Sequence, residues 1–138
     1  MTLVSATAGA SISTKAAGNQ YLKDVAPTNL ALGKFFAEAS KWTNSTTDAQ
    51  AEKDATPAVA ALHKLQNTLL TQSWPKKAKS DVRTLYSAIS PLEADLLTLG
   101  GISMNSVESW ESKFNPDVTT MTSDVNFVRH DLGLPLKS

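Results

Sequence analysis

The chain has no cysteine among its 138 residues. That removes disulfides, thiolate metal sites and cysteine nucleophiles together. It leaves the compartment open, because a domain of this length can bury a self-sufficient core in either redox environment. Excess charge of either sign is also missing: Lys and Arg number 13, Asp and Glu 13, and the net charge is zero. Non-specific nucleic-acid binding is driven by basic surface, so nucleic acid is not an expected partner. Lys76, Lys77 and Lys79 form the one dense basic run, and it reads as a solvated helix face. No apolar run approaches the roughly eighteen residues of a membrane span, so no transmembrane segment is expected. A glycine-rich phosphate loop, a nucleophile elbow and a histidine triad are all absent. So is the Glu-x-x-His pair of a di-iron bundle. The chain reads as a non-enzyme, with no catalytic, cofactor-binding or metal-ligating residues.

What the sequence does contain is apolar periodicity. Tyr21, Val25, Thr28, Leu32, Phe35, Ala39 and Trp42 follow one another in alternating steps of four and three. The rhythm returns in Ala51, Ala55, Ala58, Leu62, Leu65 and Leu69, and again in Ala78, Val82, Leu85, Ile89, Leu92, Leu96 and Leu99. A fourth set runs Phe114, Val118, Met121, Val125, Val128 and Leu132, with Val107 and Trp110 one register shift earlier. Such spacing puts one side chain per half-heptad on a single stripe. Four stripes predict four amphipathic helices packed stripe to stripe. With no sustained period-two alternation and short connections, the expected fold is an all-α, antiparallel up-down-up-down four-helix bundle.

The punctuation agrees with four helices. Thr47 and Gln50 are spaced as a capping box, and Asn105 with Glu108 offers another for the fourth helix. Pro75 suits a first helical position, and Gly100 and Gly101 end the third helix. In the closing "VRHDLGLPLKS", Gly133 stands where a left-handed residue stops a helix and Pro135 prevents its resumption. Arg129 and His130 lie in the last turn, where positive charge suits exposed carbonyls. Pro27, Pro57, Pro91 and Pro116 fall inside the four segments, which predicts bends or breaks, most of all at Pro116. Phe35, Phe36 and Trp42 end the first helix and Ala51, Ala55 and Ala58 begin the second, so large residues should face small ones.

Three groups lie off the stripes. His63 and His130 take outward heptad positions and stand about 10 Å apart along the bundle, too far for shared metal ligation. The acid pairs Glu93 with Asp95, Glu108 with Glu111, and Asp48 with Glu52 read as solvated faces and helix N-termini. Leu30, Leu97 and Phe127 are apolar at outward positions. The first and fourth helices should be neighbours, so Leu30 and Phe127 form a candidate partner or lipid surface, unless a bend at Pro27 turns Leu30 inward. Asn44-Ser45-Thr46 matches the glycosylation sequon, a short match that carries little.

The segments "YLKDVAPTN", "FFAEASKW", "TPAVAALHKLQNTLLTQSWP", "DVRTLY" and "NFVRHDLGLP" together resemble an uncharacterised family of helical domains from actinobacterial exported proteins and lipoproteins. The resemblance covers about residues 20–135. It implies a helical domain outside the cytoplasmic membrane, reached through a Ser/Thr/Ala-rich tether, and no activity or catalytic residues. The opening "MTLVSATAGASISTKAAG" has the tether's composition but neither a lipid-bearing cysteine nor the features of an intact signal peptide. An exported form would have lost its signal, with Met1 in its place. The expected division is therefore a flexible leader over 1–18, a bundle over 19–135 and a tail over 136–138. The expected function is a secreted or cell-surface, non-catalytic module that binds an unknown protein or envelope partner or serves a structural role. The alternative is a carrier or sensor that holds a small apolar ligand between helices.

Overall fold

A computed structural model describes residues 12–137. Four helices dominate it: α1 (Thr14–Ala39), α2 (Asp48–Thr71), α3 (Lys79–Leu97) and α4 (Val107–Asp131). Short 3-10 turns fill the connections at Lys76–Ala78, Thr98–Gly101 and Met104–Ser106, and no strand occurs among the described residues.

Pairs of contacting residues fix the order and direction of the helices. Thr28 Oγ1 donates to the Ala61 carbonyl at 3.3 Å, and Trp42 Nε1 donates to Asp54 Oδ2 at 2.9 Å. As α1 advances α2 therefore retreats. Gln66 meets Tyr86 and Ser90 while Glu52 lies against Gly100, so α2 and α3 are antiparallel. Trp110 meets Asp95, and Asp131 meets Asp81, so α3 and α4 are antiparallel too. Phe35 packs on Phe114, and Gly18 lies against the Leu132 carbonyl, which closes the ring between α1 and α4. The four-helix all-α bundle expected from the stripes is the fold.

The stripes are its core. Tyr21, Phe35, Leu62, Leu85, Ile89, Leu92, Leu96, Leu99 and Val128 are the largest fully buried side chains. At one end Phe35 gathers Trp42, Trp110 and Phe114 at ring-centroid distances of 5.8, 6.3 and 5.9 Å, and Trp110 stacks on Phe114 at 4.5 Å. Each such pair contributes about 0.5–1.5 kcal/mol beyond its area. Ala51, Ala55 and Ala58 on neighbouring α2 are fully buried, as large-against-small packing requires. Phe36 departs from the expectation. It lies on the rim of this cluster, 45% exposed, touching Phe35 and Phe114.

Other local expectations are revised. All four helices run unbroken through Pro27, Pro57, Pro91 and Pro116. Each of these prolines is exposed, so the carbonyl that loses its partner one turn back sits on the solvated side and is hydrated rather than orphaned. The leader ends sooner than residue 18. Ser13 caps α1 by accepting from the Ala16 amide at 3.2 Å, and Ala17 and Gly18 are buried. A β-carbon on Gly18 would stand 3.2 Å from the Leu132 carbonyl oxygen, so glycine lets the first turn of α1 approach the end of α4. The leader's residues 1–11 lie outside the described residues.

Thr47 caps α2 by accepting from the Gln50 amide at 3.1 Å, but Gln50 turns its own side chain to Asp54 at 2.8 Å, which leaves the capping box half made. The expected Asn105 cap is not made, because a 3-10 turn containing Asn105 winds directly into α4. Gly133 has φ of 71° and ends α4. Its amide bonds the His130 carbonyl at 3.1 Å and the Leu134 amide bonds that of Arg129 at 2.8 Å, the paired closure of a glycine-terminated helix. The segment after it is tied down: Asn126 exchanges two hydrogen bonds with the Lys137 backbone, at 3.0 and 2.8 Å.

Candidate functional site

The expected surface residues Leu30 and Phe127 are both exposed, at 62% and 57%. Pro27 does not turn Leu30 inward. Tyr21 of α1 lies near Arg129 of α4, and Phe35 is level with Phe114. Leu30 is therefore level with the middle of α4, and Phe127 with the first turns of α1. The two are about 10 Å apart along the bundle at the helical rise and do not form one compact patch.

His63 and His130 are exposed. His63 Nδ1 lies 3.6 Å from Glu93 Oε2. Burial pushes the Glu93 carboxyl up, and the charge and hydrogen bond of His63 offset part of that rise. Among the described residues no three His, Asp or Glu side chains are grouped to hold a metal ion.

The His63–Glu93 pair forms one edge of an open groove of about 420 Å³ between α2 and α3. Ala55, Val59, Leu96 and Leu97 make its walls apolar, and Glu52 stands at the other end. Leu97, an outward apolar residue of the third segment, is 63% exposed here. By contrast, a cleft beside Tyr21, Leu65, Leu85 and Met121, lined also by Asn29, Arg129 and Lys137, measures about 20 Å³. That is room for about one water, against the several hundred Å³ of a typical ligand pocket.

The third feature lies on the opposite side of α3, along its seam with α4. Asp95 is 7% exposed and its Oδ2 has no hydrogen-bond donor. Asp117 of α4 faces that carboxyl within hydrogen-bonding reach. Burial pushes the Asp95 carboxyl up to about 6, Asp117 adds to the rise, and Lys113 opposes it. At the other end of the seam Asp131 faces Asp81. Its Oδ2 is also buried without a donor. Burial again comes first in raising it to about 6, Asp81 adds to this, and His130 and Lys77 counter it. Between the two, Asp124 is raised by burial and by Asp81. The expectation that the acids only cap helices and face solvent fails for Asp95 and for the largely buried Glu93.

The reason is visible in the spacing. On α4, Phe114, Asp117, Met121, Asp124, Val128 and Asp131 alternate in steps of three and four; on α3, Asp81, Leu85, Ala88, Leu92 and Asp95 do the same. These acids share faces with core residues. Apolar periodicity alone does not mark them.

No protein-family model, curated protein or solved structure matches this chain.

Proposed function

We propose that the chain is a non-catalytic binding module of the cell envelope, whose α2–α3 groove takes an apolar side-chain cluster of a partner protein. The observation that supports this most is the groove itself. It is an open apolar trough on a bundle whose stripes fill the interior, and Glu52 and Glu93 stand at its edges. Apolar walls with acidic edges suit a segment that presents apolar residues beside Lys or Arg. The envelope location rests on the resemblance of residues 20–135 and on the tether-like composition of the first 18. The stripe residues are the largest fully buried side chains, and the cleft beside Tyr21 is too small for a ligand, so the small-ligand carrier gains no support.

Photo-crosslinking in the organism of origin tests the reading. A crosslinking residue at Thr56, which lines the groove, is expected to capture a defined partner. One at Ser80, on the exposed face of α3, is not. Ala60→Trp, which fills the trough, should abolish the Thr56 product. Equal capture at both positions, or capture that survives Ala60→Trp, would refute the groove. Recovery of the native protein from the cytoplasm alone would refute the location.

A further inference from the structure

We propose that the α3–α4 seam is a proton-operated clasp. The facing carboxyls Asp95 with Asp117 and Asp131 with Asp81 each share one proton and bind the two helices in mildly acidic solution. They lose that proton and push the helices apart at neutral pH.

Geometry carries the proposal. Asp95 is more than nine-tenths buried, and its Oδ2 lacks a donor. An ionised carboxylate in that position costs free energy unless a donor reaches it. The group facing it, Asp117, has no proton to give unless one of the pair is protonated. One shared proton converts two repelling acceptors into a donor and an acceptor, the arrangement known for close carboxyl dyads. The second pair repeats this at the other end of the seam, where Asp131 Oδ2 is likewise buried and without a donor. Two clasps fourteen residues apart on each helix give the seam a proton-dependent grip along its length.

The surrounding charges do not cancel the effect. Around Asp95 the opposing cation is Lys113 of α4, and the Trp110 indole is already committed to the Asp95 main-chain carbonyl at 2.7 Å. Around Asp131 stand Lys77 from the turn before α3, His130 from α4 itself, and Asp81 from α3, which also faces Asp124. From α1, Tyr21 lies near both Arg129 and Asp24, and the Arg129 Nε donates to the Pro135 carbonyl.

The direction follows from proton linkage. A carboxyl held above its unfolded value binds more protons in the folded state across that interval. Folding stability is therefore greatest on the acidic side and is lost as pH rises towards and through 6. Thermal unfolding of the full chain between pH 5 and 7 tests this. The wild-type midpoint should fall by roughly 5–10 °C over that range if both pairs act. The variant with Asp95→Asn and Asp131→Asn, which keeps the hydrogen bonds of the protonated form without a titrating group, should melt higher than wild type at pH 7. Its midpoint should also fall clearly less with pH, the remaining slope belonging to the raised Glu93 and Asp124 carboxyls. A His63→Gln, His130→Gln variant should keep the wild-type slope, which separates the clasp from histidine titration. A wild-type midpoint that is flat or rises from pH 5 to 7 overturns the proposal. So does a slope that survives the double Asn substitution undiminished or disappears with the histidines.

Discussion

The α2–α3 and α3–α4 seams join the same central helix to its two neighbours, and each buries a polar side chain, yet they treat it in opposite ways. At α2–α3 the group is the Gln66 amide. Its nitrogen donates to the Tyr86 carbonyl at 3.0 Å and to Ser90 Oγ at 2.8 Å. At α3–α4 the group is the Asp95 carboxyl, whose Oδ2 finds no donor and faces a second carboxyl. The Gln66 amide is satisfied at every pH. The Asp95 carboxyl is satisfied only when a proton is present. Burial alone therefore does not say whether a polar group rigidifies a bundle. The number of donors that arrive with it does.

Five substitutions break or sharpen this contrast. The largest effect is expected from Trp110→Ala, which removes the stacked ring on Phe114 and the indole bond to the Asp95 carbonyl. A loss of about 3–5 kcal/mol, read by denaturant unfolding at pH 5 and at pH 7, would match the cost of emptying an aromatic core position. Gln66→Ala should cost less, about 1–2 kcal/mol for the lost hydrogen bonds. Its penalty should be the same at both pH values, and a pH-dependent penalty would erase the distinction between the seams. Asp117→Asn removes one charge from the other side of the upper pair. It should stabilise the chain by about 1 kcal/mol at pH 7 and have little effect at pH 5. The smallest change is expected from Leu30→Ser and from Phe127→Ser, within about 0.5 kcal/mol each, because both side chains lie on the outside of the bundle. A loss of several kcal/mol there would place them in the core after all.

Much of this fold was legible in the residues. The four apolar stripes marked the four helices, and Gly133 marked the stop of α4 together with its left-handed conformation. The facing of Phe35 and Trp42 against a run of alanines followed from helix order. The outcome at the prolines was less accessible, because it depends on which side of each helix is solvated, and all four prolines fall on the outside. The start of α1 was hidden because Ala, Ser and Thr suit both a tether and a helix whose face is small enough to pack. Gly18 reads as a flexible residue in the sequence and as a close-packing one against Leu132 in the fold. The acid seam left a usable signal in the three-four spacing of Asp117, Asp124 and Asp131 with Phe114, Met121 and Val128. An acid at a stripe position is informative even when apolar residues already account for the helix. What could not be read was the pairing of Asp95 with Asp117, since it needs the relative height of two helices. The groove depends in the same way on how far α2 and α3 part around Ala55, Val59 and Leu97.

The contrast between the two seams is tested most directly by following each side-chain carboxyl carbon through a nuclear magnetic resonance pH titration of the intact chain, with the Gln66 amide observed in the same spectra. Asp95 and Asp131 are expected to titrate with midpoints near 6, and the Gln66 resonances should stay in place throughout. Midpoints below about 4.5 for both aspartates, in the range of free carboxyls, would contradict it.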